Sequence, residues 1–171
     1  MAMPRKLKNM NVYNDANSYQ GLAKTATLPD LARKMEAWRG AGMDGPVKAD
    51  MGHSDDGLQF EWTIGGMDLI SIRQYGVTNA SGVPLRFAGA YQRDDTGEVS
   101  VVEVILRGRH ETYSFGDAEP GEDTEHTITT TCTYYKLIVD GNVEVEIDLL
   151  GMVFMVNGVD RLAEQRAAIG L

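Results

Sequence analysis

Residues 133–148 read TYYKLIVDGNVEVEID, and this stretch predicts a β-hairpin. Two runs of strand-forming residues flank Asp140, Gly141 and Asn142, where a glycine tolerates positive φ and an aspartate can bond back to the turn backbone. A three-residue loop sorts the two faces of the hairpin better than a two-residue loop, because it sets the aliphatic positions of one strand opposite those of the other. The predicted loop is therefore Asp140-Gly141-Asn142, with Asn142 as the left-handed residue.

The predicted register gives the hairpin one apolar face and one mixed face. The apolar face pairs Tyr135 with Ile147, Leu137 with Val145, and Val139 with Val143. The other face pairs Lys136 with Glu146, and Ile138 with Glu144. An exposed cross-strand ion pair contributes about 0.2–1 kcal/mol. The apolar face is therefore expected to matter more for stability.

Length and composition restrict the class of protein. The chain has 171 residues, which predicts one domain, since a chain of this length buries roughly 70% of its unfolded surface without metal or disulfide support. Its net charge of −9 disfavours a surface that neutralises nucleic-acid phosphates. The basic start lacks a following apolar region, and no window approaches the ~18 apolar residues of a membrane span, so neither Sec export nor a membrane-spanning segment is predicted. The single cysteine, Cys132, is expected to be a small buried residue.

Strand patterns recur along most of the chain. Hairpins are predicted at NVYNDANSYQG, across VKADMG, HSDDG and LQFEWTI, and around DDTG in residues 84–111. Alternation predicts one apolar face for a strand at residues 58–64, formed by Leu58, Phe60, Trp62 and Ile64. The run from Val101 to Leu106 is aliphatic on both faces, which predicts a strand covered on one side by the core and on the other by a neighbour.

Helical patterns are short, and one of them is ambiguous. MDLISIRQYG predicts a helix of about two turns that ends at Gly76, and a second helix is predicted from Arg161 to Ile169, with Asp160 as N-cap and Gly170 past its end. Residues 28–39 slightly favour a helix from their spacing of large apolar residues, although their alternation also fits a strand. The residues thus predict a mostly β protein with two or three short helices.

No pattern of catalytic or metal-binding residues stands out. Asp140, Asn142 and Glu144 match the first ligand positions of a calcium loop, but Val145 and Gly151 replace the glycine and the glutamate that such a loop requires. The glycine-rich strings lack the spacing of phosphate-binding loops, and there is no nucleophile-elbow sequence. The sequence therefore predicts no enzyme activity, no metal and no cofactor.

The histidines and the paired carboxylates also have ordinary explanations. His53, His110 and His126 are too far apart for a local ligand pair and lie among polar residues, so they are expected to be solvated. Adjacent carboxylates such as Asp94 and Asp95 are expected to cap turn backbone.

Four segments of the sequence resemble a known family in the same order and at similar spacing. They are TLPDLARKMEAWRGAGMDGPVKADMG, LRFAGAYQRDDTGEV, PGEDTEHTITTTCTYYKLIVDGNVEVEIDLLG and VNGVDRLAEQRAAIGL. They resemble the major tail tube proteins of contractile-tailed bacteriophages, to which the R-type pyocin tube subunit is similar. The resemblance runs from about residue 3 to residue 171.

The resemblance implies a fold and a structural function. The implied fold is a small β-barrel or sandwich with one or two short α-helices, whose strands continue around a hexameric ring. Stacked rings would form the inner tail tube of a phage or phage-tail-like particle, and DNA would pass through it without sequence-specific binding. The implied partners are further copies of the chain and the sheath, tape-measure, baseplate and terminator proteins. The implied location is the virion tail, assembled in the host bacterial cytoplasm.

The resemblance also implies sites, and it changes the interpretation of residues 28–39. In this family the matching segment is extended and belongs to a long hairpin that reaches towards the adjacent ring. Candidate ring-to-ring contacts are Met43, Asp44, Gly45 and Met51. Candidate residues facing the bore lie on the charged face of the 133–148 hairpin, namely Lys136, Glu144 and Glu146. A negative net charge suits such a bore, because like charges keep DNA from adhering.

One alternative from another class is a monomeric β-sandwich that binds a carbohydrate or a peptide. In that case Trp38, Trp62 and several tyrosines would be exposed stacking platforms. The alternation of Trp62 with Leu58, Phe60 and Ile64 instead predicts a place in the core.

Overall fold

Twelve strands and two short helices make up the structure, a computed structural model that describes residues 1–171. The helices are α1 (Leu69–Arg73) and α2 (Ala163–Ala168). The strands are β1 (Lys6–Asn14), β2 (Asn17–Ser18), β3 (Ala23–Thr27), β4 (Arg33–Trp38), β5 (Val47–His53), β6 (Leu58–Ile64), β7 (Val83–Gln92), β8 (Val99–Ser114), β9 (His126–Val139), β10 (Asn142–Asp148), β11 (Val153–Val156) and β12 (Val159–Asp160). The prediction of a mainly β fold is confirmed.

Two long strands divide the main sheet into two layers. Strands β8 and β9 pair along most of their length, and the other edge of β9 pairs first with β6 and then with β10. The long layer contains β2, β1, β7, the first part of β8, the second part of β9, β10, β11 and β12. The short layer contains β3, β6, the first part of β9 and residues 109–114 of β8. The sheet stays open, so the arrangement is a sandwich and not a closed barrel.

One core lies between the two layers. Strand β6 contributes Leu58, Phe60, Trp62 and Ile64, each at most 4% exposed, which confirms the predicted alternation. They pack with buried residues of β1, β7, β8, β9 and β10, namely Val12, Val83, Leu85, Phe87, Val104, Leu106, Ile128, Tyr135 and Ile147. Both faces of the sandwich that point away from this core remain available to solvent or to other molecules.

The hairpin at residues 133–148 forms, but its loop differs from the prediction. The loop has two residues, Asp140 and Gly141, with φ of 48° and 83°, so Asn142 is not the left-handed residue and pairs with Val139. A bulge at Glu144 adds one residue to β10. It shifts the later register by the same amount as the third loop residue of the prediction would have done. Beyond the bulge the predicted register is confirmed, including the pair Lys136 and Glu146.

Residues 33–53 form a separate hairpin, which overturns two predictions from pattern. Residues 33–38 are strand β4 and not helix, and β4 pairs with β5, as the family resemblance implied. Strand β5 does not form a hairpin with β6, because the apolar face of β6 is committed to the core while β5 is largely exposed. The helical spacing of apolar residues failed here because no core surface faces this segment.

The aliphatic run in β8 is covered on one side only. Val104 and Leu106 are fully buried, whereas Val101 is 50% exposed and Ile105 is half-buried. The expected cover on the second side is absent from the single chain, so this face is left for a neighbour.

Helix α2 begins later than predicted, and its cap is different. Its N-cap is Leu162, which makes no side-chain cap bond, and not Asp160. Asp160 lies in β12, accepts a bond from the Leu162 N–H at 3.0 Å and forms an ion pair with Arg166, which lowers the pKa of Asp160. The carboxylate therefore still fixes the start of the helix. Gly170, with φ of 84°, follows the helix as predicted.

Two histidines are buried, contrary to the expectation of solvated side chains. His110 is 6% and His126 is 5% exposed, because both lie on core-facing positions of the long strands. His53 is half-buried. The buried position of Cys132 is confirmed, and burial raises the pKa of its thiol to about 12.

His110 belongs to a neutral hydrogen-bond network that ties the end of α1 to the sandwich. Its Nε2 donates to Gln74 Oε1 at 3.0 Å, and its Nδ1 accepts from the Thr130 hydroxyl at 2.8 Å. Gln74 and Asn14 exchange two further bonds, at 2.7 and 2.8 Å. Burial lowers the pKa of His110 from 6.5 to about 4.

We expect acid to destabilise the subunit through His110. The unfolded chain takes up this proton below pH 6.5, whereas the folded chain resists it until about pH 4. The stability present above pH 6.5 is therefore lost as the pH falls towards 4, by about 3 kcal/mol. Urea unfolding at about pH 7 and about pH 4.5 measures the loss, and His110→Gln should remove this part of it. Equal losses in both proteins would contradict the assignment to His110.

Candidate assembly surfaces

The β4–β5 hairpin is largely exposed. It forms a two-stranded sheet of its own, and none of its residues is buried. Trp38 and Val47 pair across the strands and are 67% and 59% exposed. A lone two-stranded ribbon is only marginally stable in water. Exposed aromatic and aliphatic side chains on such a ribbon indicate a surface that another molecule covers.

The base of this hairpin is fixed to the long layer. Arg33 Nε donates to both carboxylate oxygens of Asp50, at 3.1 and 3.0 Å, and this lowers the pKa of Asp50. The Arg33 guanidinium lies 5.0 Å from the ring centroid of Phe154, and the His53 ring meets the same ring edge-on at 5.0 Å. Burial lowers the pKa of His53, and Arg33 lowers it further. The contacts at its base orient the hairpin while its distal part stays free.

All four candidate ring-to-ring residues lie on this hairpin. Met43, Asp44 and Gly45 are in the loop between β4 and β5, and Met51 is on β5. Asp44 and Gly45 are exposed, Met51 is 61% exposed and Met43 is half-buried. The structure thus brings the four residues onto one projecting element.

Met43 also has an internal role in the loop. Its sulfur accepts a bond from the Gly40 N–H at 3.1 Å, and its carbonyl accepts from Arg39 Nε at 3.1 Å. Trp38 and Val47, which were not among the predicted ring-to-ring contacts, expose apolar side chains on the same hairpin as Met51. Residues 35–38 of β4 are exposed on both faces, so alternation alone does not single out Trp38.

The candidate bore residues lie on the outer face of the long layer. Lys136 and Glu146 are opposite each other, and Glu144 occupies the bulge, so two of the three are brought together. Glu146 accepts a bond from the Tyr134 hydroxyl at 3.1 Å and makes no ion pair with Lys136. The guanidinium of Arg107 lies 3.9 Å from the centroid of the Tyr134 ring. This part of the surface therefore combines charged and aromatic groups.

Among the strand edges without a partner in the chain are those of β3, β8 and β1. Strand β3 pairs with β6 only, and residues 109–114 of β8 pair with β9 only. On its outer edge β1 meets β2 only at Tyr13 and Asn14, which leaves residues 6–11 open. Open edges expose unpaired N–H and C=O groups, and they favour pairing with another chain.

Trp62 offers no platform for a sugar, and the chain has no cluster of metal ligands. Trp62 is fully buried and meets the Tyr19 ring edge-on at 4.9 Å, so it offers no platform for a carbohydrate. No group of three or more His, Cys, Asp and Glu side chains is close enough to hold a metal ion. Neither helix is long and apolar enough to cross a membrane.

Comparisons with known proteins agree with a tube subunit. The profile of the family described as phage tail tube protein FII matches residues 4–170. The chain is 53% identical to the tail tube protein of Escherichia phage P2 over 172 aligned residues, which cover 100% of both chains. It is 37% identical to the major tail tube protein of Serratia phage KSP20 over 158 aligned residues, covering 92% of this chain and 91% of the relative.

Among solved structures, the cryo-EM structure of the anti-feeding prophage baseplate contains a similar chain, with a TM-score of 0.47 and 10% identity over 75% of this chain and 90% of that one. The profile match over nearly the whole chain and the two sequence relatives decide the family. The chain belongs to the phage tail tube protein FII family and is a structural, non-enzymatic component of the virion tail.

Proposed function

We propose that six copies of this chain close into a ring and that the rings stack head to tail into the inner tube of a contractile tail. The observation that carries the proposal is the projecting β4–β5 hairpin, which exposes apolar side chains far from the core. The number six comes from the family resemblance. DNA would pass through the water-filled bore without sequence-specific binding.

Ring closure gives the open strand edges a partner. In a cyclic ring, one edge of each copy meets a different edge of the next copy, and the last copy closes on the first. Strand β3 and residues 109–114 of β8 are the two open edges of the short layer. Pairing between these two edges would satisfy both without unlimited growth of the sheet.

Stacking gives the hairpin a partner. A projecting ribbon that is fixed only at its base can reach a neighbouring ring, where Trp38, Val47 and Met51 would be buried. Met43, Asp44 and Gly45 at its loop would form the polar and adaptable part of the same contact. Head-to-tail stacking has no inherent end, so the length of the tube requires control by another component.

The wider assembly follows from the same role. We infer that residues 1–171 act as one tail-tube domain and that the tube contacts sheath, tape-measure, baseplate and terminator proteins. Assembly would take place in the cytoplasm of the bacterial host, before the virion is released.

Electron microscopy of the purified chain tests the proposal. Negatively stained samples, examined over a range of protein and salt concentrations, are expected to contain rings or tubes. Light scattering on the same samples should show particles much larger than one chain. A monomer under every condition would contradict the proposal that the chain alone assembles into rings and tubes.

A further inference from the structure

The exposed face of the short layer has an unusual composition. Alternation turns every second residue of its strands away from the core, and these outward positions form what we call the threonine face. Its members are Thr25, Thr27, Gln59, Glu61, Thr63, Arg109, Glu111, Thr112, Ser114, Thr127, Thr129 and Thr131. No aliphatic or aromatic side chain is among them.

The polar groups of the threonine face bond to one another along the surface. Glu111 accepts bonds from the Thr131 hydroxyl at 2.7 Å and from Gln59 Nε2 at 3.3 Å. The hydroxyls of Thr63 and Thr127 are 3.3 Å apart. Threonine keeps the strand preference of a β-branched residue while exposing a hydroxyl. Its repeated use is typical of a sheet face that remains in contact with water.

The charge of the threonine face disfavours adhesion of a polyanion. Glu61 and Glu111 are acidic, and the one cation, Arg109, donates from its guanidinium to the Thr78 carbonyl at 3.4 Å. The nearby lysine, Lys24, is paired with Glu125. Nucleic-acid phosphates are held by Lys and Arg that are free to replace counterions. With Glu61 and Glu111 against the single cation Arg109, this face carries no excess of positive charge.

The outer face of the long layer has a different composition. It presents Arg86, Arg107 and Lys136 together with Glu103 and Glu146, and Arg86 is ion-paired with Glu103. It also presents Ile105 and Ile138, which would be exposed to water in a bore. Mixed aliphatic, aromatic and charged groups are typical of surfaces that contact protein.

We propose that the threonine face lines the bore of the tube and that a DNA duplex moves along it without being held. This inference rests on the proposed function, since it assigns the inner wall of the proposed tube. The two open edges of the short layer, at β3 and at residues 109–114, allow the same face to continue from copy to copy. The earlier candidates Lys136, Glu144 and Glu146 then lie away from the bore.

Cysteine labelling of assembled tubes tests this assignment. Thr129→Cys places a thiol on the threonine face, and Lys136→Cys places the matched control on the outer face of the long layer. The native Cys132 is buried and its thiol pKa is raised, so its background reaction is low. Each variant is treated, as subunit and as tube, with a small maleimide and with a maleimide on a polymer too large to enter the bore.

The expected result is that Thr129→Cys tubes react with the small maleimide but not with the large one, while free subunits react with both. Labelling of Thr129→Cys tubes by the large reagent, or their failure to react with either, would overturn the assignment. So would a Lys136→Cys tube that admits only the small reagent. Where a variant does not assemble, a reconstruction of unmodified tubes decides, because Thr129 must lie nearer the tube axis than Lys136. Absence of tubes from the unmodified chain counts against the proposed function instead.

Discussion

Replacement of Gly108 by alanine is expected to prevent folding of the subunit or to lower its free energy of unfolding by about 3 kcal/mol. Gly108 lies where β8 crosses from the long layer to the short layer, at a register shift against β9. A Cβ atom there would lie 2.2 Å from the Thr131 carbonyl oxygen and 2.7 Å from the Cys132 Cα. Both contacts are with backbone, so no side-chain rotation relieves them, and the two central strands would have to separate.

Urea unfolding of the unassembled subunit measures this effect. Gly66→Ala is a matched control, because a Cβ atom at Gly66 meets nothing within 4 Å and its φ is not positive. The control should unfold within about 0.5 kcal/mol of the parent. Equal unfolding midpoints for the Gly108→Ala variant and the parent would show that β8 and β9 can move apart here at little cost.

Local patterns predicted the strands but not how the strands meet. The alternation from Leu58 to Ile64 identified the buried face of β6, because a period of two depends only on neighbouring residues. The hairpin at residues 133–148 was located correctly, yet its loop was wrong by one residue, since a bulge at Glu144 produces the same distant register. A sequence does not distinguish a longer loop from a shorter loop with a bulge.

The predictions that were wrong concern contacts between segments that are distant in the sequence. Strand β5 pairs with β4 and not with β6, because β6 packs into the core. The turn residues around His53 do not decide this pairing. The burial of His110 depends on Thr130 and Gln74, which come from another strand and from the end of α1. The candidate ring-to-ring residues came from the family resemblance, which did not include Trp38, although Trp38 is 67% exposed on β4.

Replacement of Trp38 by serine is expected to abolish tubes while leaving the subunit folded. Trp38 is 67% exposed and outside the core, so its loss should change the free energy of unfolding by no more than about 0.5 kcal/mol. A tryptophan that acts as an interface hot spot costs at least about 2 kcal/mol when truncated, and the proposed ring-to-ring contact repeats that loss in every copy. Thermal unfolding of the subunit and electron microscopy of concentrated samples measure the two effects separately.

Lys48→Ser provides the matched control, because Lys48 pairs with Ala37 and therefore lies on the opposite face of the hairpin from Trp38 and Val47. It shortens an exposed side chain on the same ribbon, so any general loosening of the hairpin would affect both variants alike. If the apolar face is the ring-to-ring contact, the control forms tubes and the Trp38→Ser variant stops at rings or subunits. Tubes of normal length from the Trp38→Ser protein would exclude this face from stacking. Loss of tubes in both variants would instead assign stacking to the whole ribbon.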